Sequence, residues 1–249
     1  MLSRMHTPLT IITGASRGLG LALAAQRLRE GHRVLAIARR APALQHASLT
    51  AWTVDLADPA PVALKLELWL GQIEPHSIAS ASLVNNAGVV SALAPLGGIT
   101  AGDLSNALRV GLEAPMLLAS AFLRATAAWQ LPRKLLFISS GLGRRAMAGS
   151  ASYCAAKAGM DHLARAIALE EAPLANGAKA VSLAPGVIDT EMQVQLRSAD
   201  PAAFPERARF IGLKTEGQLD SAATAAAKVL KILDRADFGD NVVTDVREA

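Results

Sequence analysis

Short apolar runs alternate with helix-length stretches from Leu9 to Thr244, and few architectures accept that order. The runs at 9–13, 33–38, 49–54, 82–85, 134–139, 179–183 and 241–244 read as strands. Segments of helical period stand between them at 19–30, 59–70, 103–129, 152–171 and 218–234. Strands separated by helices make βαβ units, which predict an α/β fold: a doubly wound parallel sheet covered on both faces. No linker and no repeat interrupts the pattern, so 1–249 is expected to form a single domain. Residues 187–216 depart from it, with Pro201, Pro205 and Gly212 among them. They follow the C-terminal end of a strand, where open α/β sheets bind ligands, and so read as an irregular substrate loop.

Composition removes several function classes. Of 249 residues, 51% are hydrophobic and 18% charged, too apolar and too weakly charged for a disordered chain. A single cysteine, Cys154, leaves no disulfide framework and fits a reducing cytoplasmic setting. The five histidines have no metal-ligand spacing, so no metal is expected. Aromatic residues are 4% of the chain, too few for a stacking platform, and the net charge of +4 is spread without a basic run. Nucleic acid is therefore not an expected partner. No apolar run reaches the roughly 18 residues of a membrane span, and no signal-peptide core precedes the first strand.

The turn after the first strand reads Thr13-Gly14-Ala15-Ser16-Arg17-Gly18-Leu19-Gly20. Glycines at that spacing permit a tight turn and close approach of the backbone to phosphate, and the helix start that follows attracts a pyrophosphate. The same glycines in an ordinary βα turn are the competing reading. At the end of the second strand, where a carboxylate would hold the ribose hydroxyls of NAD, the chain reads Ala38-Arg39-Arg40. Arg39, with Arg17 in reach, suits a 2′-phosphate, which puts NADP(H) ahead of NAD(H).

Tyr153 and Lys157 lie four apart near the start of a helix, on one face. An ammonium beside a phenol favours phenolate and is expected to draw the tyrosine pKa down from about 10. A tyrosine so tuned exchanges a proton with a carbonyl or alcohol oxygen. Ser140, at the end of the strand that feeds this helix, has a hydroxyl able to hold the same oxygen, and Ser139 competes with it for that role.

Together with Asn85-Asn86-Ala87-Gly88 and Pro185-Gly186-x-x-x-Thr190, these motifs resemble the short-chain dehydrogenase/reductase family over almost the whole chain. The resemblance implies a Rossmann-type sheet of seven strands in the order 3-2-1-4-5-6-7. It implies that Ser140, Tyr153 and Lys157 are catalytic and that Tyr153 and Lys157 also meet the cofactor. It implies a cofactor cradle of Gly14, Ser16, Arg17, Gly18, Leu19 and Gly20, with Arg39 and Asp55 at the adenosine end. Asn86, Ala87 and Gly88 would line the adenosine side, and Pro185, Gly186, Ile188 and Thr190 the carboxamide and phosphate side. The run Pro185–Gln193, Tyr153-Cys154-Ala155-Ala156-Lys157 and the ending Asp245-Val246-Arg247 are similar to the branch that holds sepiapterin reductase and benzil reductase. A small-molecule ketone or diketone substrate, reduced with NADPH, is what that likeness implies. A cofactor-binding regulatory protein with weak or lost turnover is the alternative, and a sugar epimerase or dehydratase is disfavoured by the spacing of the glycine turn.

Two further expectations follow. Leu117, Leu118 and Phe122 on one helix, with Met160, Leu163 and Ile167 on another, suggest apolar surplus for a two-fold interface, hence a homodimer or homotetramer. The family's usual asparagine before the serine strand is replaced by Gly111 in Val110-Gly111-Leu112-Glu113-Ala114-Pro115. Pro115 has no N–H for the Gly111 carbonyl, which predicts a kink there, with that carbonyl facing Lys157 through water.

Overall fold

A computed structural model describes residues 6–248. Seven strands form one parallel sheet in the order β3-β2-β1-β4-β5-β6-β7. They are β1 (Thr7–Thr13), β2 (Arg33–Ala38), β3 (Leu49–Thr53), β4 (Ile78–Asn85), β5 (Arg133–Ile138), β6 (Lys179–Ala184) and β7 (Val243–Asp245). The helices are α1 (Gly18–Arg29), α2 (Pro59–Leu70), α3 (Ala101–Leu108), α4 (Ala114–Thr126), α5 (Ala151–Glu171), α6 (Glu191–Arg197), α7 (Arg207–Thr215) and α8 (Ala222–Leu233).

The strand sequences show why both faces are covered. Successive side chains point to opposite faces. Ile11, Leu35, Leu83 and Leu135 pack with α2, α4 and α5, while Ile12, Ala36, Val84 and Leu136 pack with α1 and α8. All eight are 1% exposed or less, so the central strands β1, β2, β4 and β5 are covered on both faces. Every loop that follows a strand end therefore gathers along one edge of the sheet.

Two sequence expectations need correction. The single helix over 103–129 is two helices, α3 and α4, joined by a π-helical turn at Arg109–Glu113. The Ala114 N–H reaches back five residues to the Arg109 carbonyl, so it passes over Val110. Pro115 has no N–H to give to Gly111. Two consecutive carbonyls thus lose their α-helical donors, and the helix axis is interrupted at Gly111. The stretch 187–216 is not irregular: it holds α6 and α7, separated by a segment with Pro201 and Pro205.

The apolar surplus expected on α4 and α5 is mostly used within this chain. Leu118, Phe122, Met160 and Ile167 are buried in this chain's own core, and Leu117 and Leu163 pack partly against it. The sheet beneath these helices uses the side chains that were assigned to a partner. What α4 and α5 leave in solvent is Met116 and Leu169. Among the described residues no helix is long and apolar enough to cross a membrane.

Candidate active site

The turn after β1 is shaped by its own glycines and by a strut from β4. Gly14 and Gly18 take φ of +67° and +54°, values that side chains other than glycine rarely adopt. The Asn86 amide, at the end of β4, donates to the Thr13 carbonyl at 2.9 Å, and the Thr13 hydroxyl accepts from the N–H groups of Asn86 and Ala87 at 2.9 Å each. A Cβ on Gly20 would come within 2.5 Å of that Asn86 amide nitrogen. Asn86 is thus a strut that holds the glycine turn against β4, and the first turn of α1 leaves its N–H groups free for an anion.

One cavity of about 630 Å³ runs along the ends of β1 to β6, and it collects every candidate catalytic and cofactor-binding residue named from the sequence. Gly14, Ser16, Arg17, Gly18, Leu19 and Gly20 line one side, with Arg39, Arg40 and Asp55 beyond them. Asn86, Ala87 and Gly88 form the floor, and Pro185, Gly186, Ile188 and Thr190 close the far wall. Arg17, expected to reach a phosphate, is ion-paired with Glu191 at the start of α6. Arg39 and Arg40 are exposed at the rim. The chemistry of this lining fits a dinucleotide: a positive-φ glycine turn under a helix start, and arginines in place of a carboxylate at the end of β2.

At the other end of the cavity Ser140, Tyr153 and Lys157 converge. The Ser140 side chain faces Tyr153 and favours its ionised form. Its oxygen also accepts the Leu142 N–H at 3.2 Å, which fixes the rotamer. Ser139 is excluded as the competitor, because it is 3% exposed and donates to Asp161 at 2.6 Å. Lys157 Nζ donates to the Ile138 carbonyl at 2.7 Å and lies 5.5 Å from the centre of the Tyr153 ring. Gly111, in the π-helical turn, backs onto this group: a Cβ there would sit 3.0 Å from the Ala156 Cβ, next to Lys157.

Electrostatics here differ from the sequence expectation. Burial pushes the Tyr153 phenol up to about 12, and the Ser140 side chain only partly opposes it. Burial pushes the Lys157 ammonium down to about 8, against the pull of Asp161. The low dielectric disfavours both charged forms, and at 5.5 Å from the ring the ammonium does not overcome that. At neutral pH the tyrosine is a phenol with a proton to give, and the lysine is charged.

The reacting end is walled by side chains that sequence reasoning did not assemble into a site. Met147, Leu196, Phe204 and Phe210 form a separate apolar cluster, with Leu142, Met192 and Leu213 packed on it. Met147 and Met192 both pack in this cluster and line the cavity. The signal for the rest was weak, since they come from segments far apart in the chain.

Comparison with known proteins decides the family. The short chain dehydrogenase model matches residues 8–201. The chain belongs to the short-chain dehydrogenase family. This dehydrogenase is 34% identical to a benzil reductase ((S)-benzoin forming) of Bacillus cereus over 245 residues, 96% of this chain and 98% of that one. It is 31% identical to the sepiapterin reductase of Rattus norvegicus, with 94% of each chain covered. Among solved structures, the KRED1-Pglu enzyme superposes with a TM-score of 0.78 at 28% identity, over 94% of this chain and 99% of that one. With the site described above, the dehydrogenase is an NAD(P)-dependent oxidoreductase that interconverts CH–OH and C=O groups.

Proposed function

We propose that this dehydrogenase is an NADPH-dependent carbonyl reductase acting on a ketone or vicinal diketone. The observation that carries the reading is the convergence of Ser140, Tyr153 and Lys157 at the apolar end of a cavity whose other end is ringed by arginines. When bound, NADPH supplies a hydride from its nicotinamide ring. Ser140 holds the substrate oxygen, and Tyr153 donates its proton to that oxygen as the charge develops. The Lys157 ammonium then favours the phenolate that remains. Water at the Gly111 carbonyl, left without an α-helical donor by Pro115, resupplies the proton. Substrate carbons lie against Leu142, Met147 and Phe210, which exclude bulk water. The stretch 187–216, with α6 and α7, closes over this end. Loss of NADPH absorbance with aryl diketones, pterins and ketoacyl thioesters tests the reading, and no turnover on any of them sinks it. A regulatory protein without turnover has only Gly111 in its favour.

Cofactor choice rests on Arg39, with Arg17 held by Glu191 until a 2′-phosphate competes for it. A charged hydrogen bond to that phosphate is worth about 1.5–3 kcal/mol. Arg39→Asp should weaken NADPH use by roughly tenfold or more and favour NADH in relative terms. Equal use of both cofactors by the wild type would remove the basis for the assignment.

The pH dependence follows from Lys157. Its ammonium is present below about 8 and is lost as the pH rises through that value. The Tyr153 proton, held to about 12, stays on over the same range. Reduction should therefore be level near neutral pH and decline above about 8. An initial-rate profile from pH 6 to 10 that stays flat would contradict this assignment.

A further inference from the structure

The molecule buries a second charged group that the reaction above does not use. Asp161 is 2% exposed and lies one turn beyond Lys157 on α5. One of its oxygens accepts from the Ser139 hydroxyl at 2.6 Å and from the Ser182 hydroxyl, on β6, at 2.7 Å. The other has no hydrogen bond and faces Arg144 Nε at 3.3 Å. Arg144 in turn donates from Nη2 to the Thr244 carbonyl on β7 at 2.8 Å. Between these anchors the backbone lies flat on α5. A Cβ on Gly143 would come within 2.8 Å of the Asp161 carboxylate and 2.9 Å of the Lys157 carbonyl.

A buried carboxylate is costly unless it is paired and hydrogen-bonded, and apolar contacts join a strand to a helix at lower cost. The network is placed where that cost has a use. Ser140 sits between two tethered neighbours, Ser139 before it and the Gly143–Arg144 backbone after it. The tether is the helix that carries Tyr153 and Lys157. We propose that Asp161 and Arg144 are positioning residues for the reaction. They fix the Ser140 hydroxyl against Tyr153 and set a balanced charge pair one turn from the Lys157 ammonium. This rests on the reading that Ser140 and Tyr153 act on a carbonyl.

The charge part has a sign that packing alone does not produce. The titratable groups recorded against Lys157 are Tyr153 on its own helix and Asp161 one turn on, and its Nζ also meets the Ile138 carbonyl from β5 and the Met160 sulfur, beside Gly88. Arg144 pairs with the Asp161 oxygen that accepts no hydrogen bond. Removing the carboxylate takes away the group that holds the ammonium up. Removing the guanidinium unmasks that carboxylate.

The test uses Asp161→Asn and Arg144→Ala in the full-length protein, with an aryl diketone and NADPH. Both should lower kcat by about tenfold or more while KM and NADPH affinity move by less than about twofold, as expected for misplaced groups. The alkaline limb of the rate profile should move to lower pH in Asp161→Asn and to higher pH in Arg144→Ala. Arg144→Lys, which keeps the charge, should restore the position of the limb. The same opposite shifts should appear without turnover, in the pH dependence of NADPH binding followed by nucleotide fluorescence. If the wild type reduces no carbonyl compound, the parent reading fails and the binding titration still judges the pair. Limbs that do not move in either experiment, or losses of kcat matched by equal losses of cofactor affinity and Tm, overturn the proposal. Arg144 is partly exposed, so its variants decide the matter if Asp161→Asn does not fold.

Discussion

Tyr153→Phe should lower kcat for carbonyl reduction by about 10³-fold, the range in which a positioned general acid acts. The substitution removes one oxygen that faces Ser140, and it leaves the ring against Lys157 in place. Packing, fold and cofactor affinity should be nearly unchanged, so the loss falls on the chemical step. Ser140→Ala should be milder, because the phenol still meets the substrate oxygen. The measurement is kcat at saturating NADPH with far-UV dichroism and NADPH affinity as controls. A Tyr153→Phe enzyme within tenfold of the wild type would mean that the proton comes from elsewhere.

Gly20→Ala should destabilise the fold and the cofactor turn together. The added carbon has no room, since the Asn86 amide nitrogen stands 2.5 Å away and the Gly14 carbonyl is closer still. Neither is the loose end of a flexible chain, because Asn86 is tied to Thr13. Overpacking of this kind costs about 3 kcal/mol. The displaced turn should also lose NADPH. Gly102→Ala on α3 meets nothing within 4 Å and should be harmless, which makes it the control. Thermal melts with and without NADPH distinguish the outcomes. A Gly20→Ala protein that melts with the wild type and still binds cofactor would show that the strut is not rigid.

The degree to which the sequence foretold this structure varies with how local the cause is. Strands β1 to β6 were legible because a sheet buried on both faces needs unbroken apolar runs, and Leu83-Val84 carries one residue for each side. The glycine turn and the Tyr153–Lys157 spacing were legible because they are one-turn features. The break after α3 was foreseen from Pro115, but its π register was not, since that depends on where the Ala114 N–H finds an acceptor. Helices α6 and α7 were missed because they are short, seven and nine residues, and each is stabilised by the apolar cluster beneath it rather than by its own pattern. The high Tyr153 pKa was missed for a similar reason: spacing shows the nearby charge and hides the burial. Asp161 belongs to no sequence motif, and only its partners Ser139, just after β5, and Ser182 on β6 reveal it.

Replacing a residue with the one most common in its family is a dependable route to stability, because such choices tend to suit the shared backbone. Position 111 is where that rule misleads an engineer of this chain. The hydrogen of Gly111 occupies the space where α5 presses against the interrupted helix, and even one carbon there would lie 3.0 Å from the Ala156 Cβ. An asparagine there requires the Ala156 methyl to yield by a few tenths of an ångström, one residue from Lys157. The glycine is the partner of a closer helix contact, and reverting it would exchange a working geometry for a familiar letter.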